Sequence, residues 1–133
     1  NVQVGGHVTI ENHAIIGGSC AIHQFSRIGY LAMVGGMTGV LSDIIPFGLS
    51  LGNRNNLVGL NLIGLRRAKI SNENIKLLQN FYDIVFANQN FRSNIEKLEK
   101  NLKENVYTKM IIDFLNSDKK RPISLPINKN ENN

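Results

Sequence analysis

The strongest constraint on this sequence is a repeat of six residues that fills its first third. A β-branched residue occupies every sixth position: Val4, Ile10, Ile16, Ile22, Ile28, Val34 and Val40. The position after each of the first six holds glycine, except for Glu11 and His23. Neither the helical period of about 3.6 residues nor the strand period of about two produces such a pattern.

Hexads of this kind predict a parallel β-helix. Each hexad supplies one short strand and a turn, and three hexads complete a coil, so residues about eighteen apart stack on one face. The hexad register fails after Val40, and Pro46, which cannot donate to a β-ladder, follows. We therefore expect β-helical coils over residues 1–45 and, over residues 46–69, a connecting loop that packs back on them.

Beyond the loop, the apolar spacing changes to that of helices. We expect a helical domain over residues 70–116 and a partly flexible tail over residues 117–133, which has little to bury. The first helix is predicted to begin near Ser71. A capping box at Ser93–Glu96 predicts the start of a second, which continues through Leu98 and Leu102. A third is expected near Thr108–Leu115.

The charge excess lies in the second half of the chain. Residues 1–60 carry two basic and two acidic groups, whereas residues 61–133 carry thirteen and eight, giving a net charge of +5. This basic half is compatible with an acidic partner, a phosphorylated ligand or a lysine-rich solvated surface. No aromatic residues interleave with the charge, so nucleic-acid binding is not indicated. No apolar run approaches the ~20 residues of a transmembrane segment.

The single cysteine and the first residues bear on location and completeness. Cys20 lies in a register of small residues and has no partner for a disulfide, which fits a reducing cytoplasm. The repeat is already in register at Val4, with neither Met nor a capping segment before it. We interpret the chain as the C-terminal part of a longer protein.

Three histidines within the β-helix are candidates for chemistry. His23 replaces glycine at a turn, where a bulky ring is not explained by packing. His7 and His13 share an outward register on adjacent faces, and His13 is interpreted as a solvated turn residue. Because these side chains point in different directions and one cysteine is present, no metal site is predicted.

Two short motifs suggest how a substrate could be held. Gly5 and Gly6 leave backbone amides open beside His7, and a fixed donor near a histidine suits the oxyanion of an acyl transfer. Arg66 and Arg67 precede a helix and could bind a diphosphate.

Four motifs occur in the same order in one known family. They are HQF at His23–Phe25, MVGG at Met33–Gly36, DIIPF at Asp43–Phe47 and GLNLIGLRR ending at Arg67. On these motifs the chain resembles, over essentially its whole length, the C-terminal part of the acyl-ACP–UDP-N-acetylglucosamine O-acyltransferases of lipid A biosynthesis. The amphipathic helices that follow are similar to that family's helical C-terminal domain.

The resemblance implies a fold, an assembly and an activity. The family forms homotrimers of left-handed parallel β-helices with active sites between neighbouring subunits. Its members move a 3-hydroxyacyl chain from acyl carrier protein to the 3-hydroxyl of UDP-N-acetylglucosamine. The resemblance thus implies these two partners and no separate cofactor, since the acyl group arrives on the carrier's phosphopantetheine.

The resemblance also assigns roles to individual residues. The Gly6 amide matches an oxyanion-hole donor, and His7 matches a supporting active-site histidine. Residues that match contacts to the nucleotide sugar are His23, Gln24, Asn61 and Arg67. Residues that match the acyl pocket are Met33, Gly36 and Arg54. A glycine at position 36 leaves room for a longer acyl chain.

Several positions depart from the family pattern. The family's general base is a histidine one coil before His7, and no histidine of this chain matches it. The chain alone is therefore expected to be nearly inactive, because a general base contributes about 10²–10⁴-fold in rate. Arg54 replaces a histidine often found near the end of the acyl groove. Ile63 replaces an acidic residue beside the nucleotide, and Ala68 replaces a second arginine.

Two other functions remain open at this level. One is a non-catalytic trimerisation or binding module derived from a truncated or split gene. The other is a related hexapeptide transferase that acylates an amine instead of a hydroxyl.

Overall fold

Short parallel strands form the N-terminal part of the molecule. The computed structural model describes residues 1–52 and 55–127. Its first strands recur every six residues: β1 Gln3–Val4, β2 Thr9–Ile10, β3 Ile15–Ile16, β4 Ala21–Ile22, β5 Arg27–Ile28, β6 Met33–Val34 and β7 Gly39–Val40. Parallel pairs join residues eighteen apart, as in Val4 with Ile22 and Ile22 with Val40. The expected left-handed parallel β-helix is confirmed.

Three corners join the three faces of this prism. The first corner follows β1 and β4, the second follows β2 and β5, and the third follows β3 and β6. Each turn places one residue in the left-handed backbone region, with φ from 57° to 65° at His7, His13, Ser19, Phe25, Leu31 and Met37. The β-branched column lies inside and is fully buried at Ile28 and Val34, whereas Val4 and Ile10 are 52% and 42% exposed.

The third coil is two residues shorter than the others and runs past the expected end at residue 45. Ile44 bridges to Ile28, and Leu49 pairs with Met33, so both offsets are sixteen residues. The register failure after Val40 therefore marks a shortened first corner. Strand β8, Gly48–Leu51, completes this coil on the third face.

Segment 46–69 is more regular than the connecting loop that the sequence suggests. After β8, strand β9 (Asn56–Leu60) returns antiparallel to it, and helix α1 (Leu62–Arg67) follows. The segment does pack back on the β-helix, because the Asn61 side chain donates from Nδ2 to the Leu31 carbonyl at 3.0 Å. Pairing with an existing strand gives these residues a regular structure that the sequence pattern does not specify.

Helices make up most of the remaining described chain: α2 Asn72–Val85, α3 Phe91–Glu96, α4 Lys100–Glu104 and α5 Val106–Ser117. The expected start of α2 is correct, because the Ser71 side chain accepts a hydrogen bond from the Asn74 amide. Their apolar faces bury a common core with the second corner, which includes Leu31, Phe47, Leu78, Phe81 and Ile111. Among the described residues, no helix has the length and apolar character needed to cross a membrane.

The expected capping box at Ser93–Glu96 is wrong. Both residues lie inside α3, which has Asn90 at its N-cap. The Asn94 side chain instead donates to the Val85 carbonyl at 3.0 Å and so ties α3 to the end of α2. The predicted second helix is also divided, since α3 and α4 are separate and Leu98 lies between them.

The third predicted helix is longer than expected. Helix α5 begins two residues before Thr108, because the Asn105 side chain accepts hydrogen bonds from the Tyr107 and Thr108 amides. This side chain is therefore the cap that the apolar spacing alone does not locate.

Residues 118–127 of the tail are attached to the β-helix by backbone hydrogen bonds, and the expected partial flexibility of the tail stays a prediction. The Asp43 amide donates to the Pro122 carbonyl, and the Ser124 amide donates to the Asp43 carbonyl, both at 2.8 Å. The Leu57 amide also donates to the Leu125 carbonyl. The end of the tail, residues 128–133, lies outside the described residues.

The fully buried carboxylate of Asp43 holds this junction together. Its Oδ2 accepts from Arg27 Nε at 2.7 Å, and its Oδ1 accepts from the Arg27 amide at 2.9 Å. Arg121 donates to Oδ1 from Nε and Nη2 at 3.2 and 3.0 Å. The Arg27 guanidinium carbon also lies 4.1 Å from the ring centroid of Phe114 on α5. These contacts offset the desolvation of the carboxylate, because both of its oxygens accept hydrogen bonds from arginine.

We expect Asp43→Asn to lower the free energy of unfolding by about 3 kcal/mol, because two guanidinium groups lose their buried counter-ion. Equilibrium urea denaturation measures this change. Asp113→Asn, at an exposed carboxylate on α5, is the matched control and should change the free energy by less than about 0.5 kcal/mol. Equal stability of the two variants would contradict a structural role for the Asp43 charge.

Candidate functional site

The first corner brings together four of the residues that the sequence singles out. A cleft of about 470 Å³ runs along the first face and is lined there by Gly6, His23 and Gln24. His7 lies at the same corner, with its ring stacked on Phe25 at a centroid distance of 5.1 Å and an interplanar angle of 4°. We call this the first cleft. It presents imidazole, carboxamide and backbone amide groups to solvent.

His23 carries a side chain in a register where most positions hold glycine, which lies close to the backbone of the next coil. A Cβ on Gly17 would lie 2.5 Å from the Gly36 nitrogen of the next coil, and one on Gly29 would lie 2.4 Å from the Pro46 nitrogen. His23 lies below the shortened first corner, where the chain passes from Val40 to Ile44 with two residues fewer. Glu11 carries a side chain in the same register below a second corner of full length, so a side chain at this position does not require the shortening.

A second cleft of about 560 Å³ lies at the second corner, beneath α1. Its lining includes Arg67 in the last turn of α1, together with Tyr30 and His13 of the β-helix. Arg67 is exposed. The fold therefore separates Arg67 from His23 and Gln24, which line the first cleft at a different corner.

Two residues of the second cleft were missed or set aside by sequence reasoning. His13, interpreted as a solvated turn residue, is exposed but lies edge-on to Tyr30 at a centroid distance of 5.7 Å. Tyr30 occupies a turn register that elsewhere holds glycine or a carboxamide: Gly6, Asn12, Gly18, Gln24 and Gly36. An aromatic ring in this register is the signal that could have identified it.

Asn61 has a structural role in addition to any contact with a ligand. The residue is 3% exposed, its Nδ2 donates to the Leu31 carbonyl at 3.0 Å, and its Oδ1 accepts from the Gly64 amide at 3.1 Å. It thereby caps α1 and fixes the helix to the second corner. Its predicted contact with a nucleotide sugar stays a prediction.

The residues predicted for the acyl pocket lie around the third face. Met33 is half-buried on β6, and Gly36 is exposed at the third corner. A Cβ on Gly36 would be 3.4 Å from the Gly18 carbonyl oxygen, which is about ordinary van der Waals contact. Arg54 lies outside the described residues. One chain thus distributes the predicted site over three corners.

The structure offers no obvious metal centre in its described part. Within residues 1–52 and 55–127, no three His, Cys, Asp or Glu side chains are placed to hold a metal ion. Cys20 is buried, and its Sγ donates to the Gly35 carbonyl at 3.1 Å.

A family model matches more than half of the chain. Residues 43–124 match the model described as UDP-N-acetylglucosamine O-acyltransferase, domain 2. The match begins at Asp43 and ends within residues 118–127, the part of the tail that is hydrogen-bonded to the β-helix.

Curated relatives with the name acyl-(acyl-carrier-protein)–UDP-N-acetylglucosamine O-acyltransferase are similar over most of this chain. The relative from Agrobacterium fabrum is 41% identical over 128 residues, which cover 95% of this chain and 47% of the relative. The relative from Anaeromyxobacter sp. (strain K) is 43% identical over 116 residues, covering 86% of this chain and 45% of the relative. The chain thus spans about half the length of these relatives.

Solved structures with the same kind of title share the fold. The UDP-N-acetylglucosamine acyltransferase from Campylobacter jejuni superposes with a TM-score of 0.84 at 28% identity, covering 97% of this chain and 49% of that one. LpxA, a UDP-N-acetylglucosamine acyltransferase from Bacteroides fragilis, gives a TM-score of 0.84 at 30% identity, covering 92% and 48%.

We expect Asn61→Ala to destabilise the protein by about 2–4 kcal/mol without any ligand, because α1 loses its cap and the buried Leu31 carbonyl loses its donor. Thermal unfolding measures the loss, and hydrogen exchange should quicken at the Gly64 amide. Asn80→Ala, at an exposed position of α2, is the control and should not destabilise. Unchanged stability of Asn61→Ala would contradict the capping role.

Proposed function

The chain belongs to the UDP-N-acetylglucosamine O-acyltransferase family, and on that premise we propose that it carries the substrate-binding half of such an enzyme. The reaction proposed is transfer of a 3-hydroxyacyl chain from acyl carrier protein to the 3-hydroxyl of UDP-N-acetylglucosamine, the first step of lipid A biosynthesis. The observation that carries this assignment is the first cleft, where a histidine, a carboxamide and an open glycine amide lie together.

The groups of the first cleft suit an acyl transfer to a sugar. We assign the Gly6 amide as donor to the thioester oxygen, which becomes an oxyanion when the hydroxyl attacks. His7 supports this corner through its stack on Phe25. His23 and Gln24 supply hydrogen bonds to the sugar, because their side chains lie one coil above Gly6 on the same corner.

The proton of the attacking hydroxyl needs an acceptor that this chain does not supply. The family resemblance assigns this role to a histidine one coil before His7. We therefore expect the chain by itself to bind substrates but to have almost no acyltransferase activity, since a general base contributes about 10²–10⁴-fold to the rate.

The acyl chain and its carrier complete the proposal. Met33 and Gly36 line the pocket for the acyl chain, and the small residue at position 36 favours a longer chain; the family resemblance adds Arg54, which lies outside the described residues. The acyl donor is a thioester on the phosphopantetheine of acyl carrier protein, so no separate cofactor is proposed. The buried thiol of Cys20 suits a reducing cytoplasm, which is the location we propose.

A homotrimer is proposed because one chain divides the sugar-nucleotide residues between two clefts. His23 and Gln24 line the first cleft, whereas Arg67 lines the second, at another corner of the prism. Threefold association places the first corner of one subunit beside the second corner of its neighbour, which brings these groups together.

The reaction is tested in the longest natural polypeptide that contains this chain. We expect it to transfer a 3-hydroxyacyl group from acyl carrier protein to UDP-N-acetylglucosamine, with mass spectrometry detecting the ester product. His23→Ala should lower kcat/KM by at least about tenfold, because a hydrogen bond to the sugar is lost. Lys76→Ala, at an exposed position of α2, is the control and should be without effect.

Two outcomes of this assay would contradict the proposed reaction. Binding of the sugar nucleotide without any transfer would favour a non-catalytic trimerisation or binding module. Transfer to a 3-amino sugar nucleotide in preference to the hydroxyl substrate would favour an amine acyltransferase.

Shared sites predict complementation between inactive variants. His23→Ala and Arg67→Ala are each expected to be weakly active, and subunits mixed after unfolding and refolding should restore about a quarter of the sites. Activity after mixing, compared with each variant refolded alone, measures this recovery. A mixture no more active than its components would contradict a site formed by two subunits.

A further inference from the structure

The aromatic side chains of the second cleft have no role in the reaction as proposed so far. We infer that Tyr30, with His13 beside it, stacks on the uracil ring of the sugar nucleotide while Arg67 binds the diphosphate. This inference rests on the proposed function and extends it by naming where the nucleobase lies. The cleft volume of about 560 Å³ falls within the ~300–1,000 Å³ of small-molecule sites.

Tyr30 is held in place before any ligand binds. Its backbone amide donates to Glu11 Oε2 at 3.0 Å, so the carboxylate of Glu11 fixes the second corner from the coil below. Its ring lies edge-on to Phe47, which is fully buried, at a centroid distance of 5.8 Å. A half-buried ring fixed from both sides loses little conformational entropy when a base stacks on it.

His13 adds a second ring at right angles to the first. The two centroids lie 5.7 Å apart with an interplanar angle of 90°, and His13 is exposed at its turn. Ala14, Ile15 and Leu31 provide the apolar part of the lining. Together these side chains form an aromatic corner with an apolar wall, which suits a flat heterocycle.

The charge of the second cleft fits the other end of a nucleotide. Arg67 is the charged residue in the cleft lining, and its guanidinium can donate two hydrogen bonds to a phosphate. The first cleft, in contrast, presents Gly6, His23 and Gln24 but no carbocyclic aromatic side chain among its lining residues. The acetylated sugar therefore belongs in the first cleft and the base in the second.

The test is the affinity for UDP in the longest natural polypeptide that contains this chain, measured by isothermal titration calorimetry. Tyr30→Ala should weaken UDP binding by about 5- to 100-fold, because one base–aromatic stack is lost. Tyr30→Phe keeps the ring and should bind within about twofold of the wild type. Ile84→Ala, at an exposed apolar position of α2, controls for loss of an apolar side chain elsewhere.

A second measurement separates stacking from a general loss of structure. In saturation-transfer NMR with UDP-N-acetylglucosamine, the H5 and H6 signals of uracil should weaken in Tyr30→Ala relative to the N-acetyl methyl signal. A purely structural defect would weaken all these signals together, and that result would overturn the inference.

The remaining outcomes distinguish this inference from the proposed function. Wild-type binding of UDP-N-acetylglucosamine with unchanged affinity in Tyr30→Ala would overturn the stacking role alone. Absence of any binding to the wild type would overturn both, because no base would then occupy the second cleft.

Discussion

The carboxylate of Asp43 is the interaction on which the rest of this structure depends. It lies fully buried where the β-helix, α5 and the tail meet, and both of its oxygens accept hydrogen bonds from arginine. Arg27 extends the contact to Phe114 on α5, while Arg121 holds the tail. A buried charge is costly when it is unpaired. The β-helix, α5 and the tail are therefore held together by this carboxylate.

The same short segment also shapes the first cleft. Asp43 lies in the corner between Val40 and Ile44, where the third coil is two residues shorter than the coils below it. Leu41 of that shortened corner lines the first cleft together with His23. A structural junction and a functional position thus arise from one irregularity in the repeat, and the buried ion pairs keep that corner rigid.

The candidate site illustrates how a solenoid distributes function. Hexads give each corner the same backbone. Side chains that can bind a ligand therefore occur where a residue departs from the repeat, as His23 and Tyr30 do. Successive corners face different directions, and within one chain His23 and Arg67 line different clefts. The homotrimer proposed above would bring these two corners of neighbouring subunits together.

The sequence alone determined the parallel β-helix, because the six-residue period leaves no other regular structure, and the motif order indicated the family. The first cleft was also predictable in part, since His23 visibly breaks the glycine register. Only the tertiary structure decided the length of the third coil, the attachment of the tail to Asp43, the capping role of Asn61 and the position of Tyr30 beside Arg67. These features depend on contacts between residues far apart in the chain, such as Arg27 with Ser117. Local periodicity carries no information about such pairs, because their free energy exists only once the chain has brought them together.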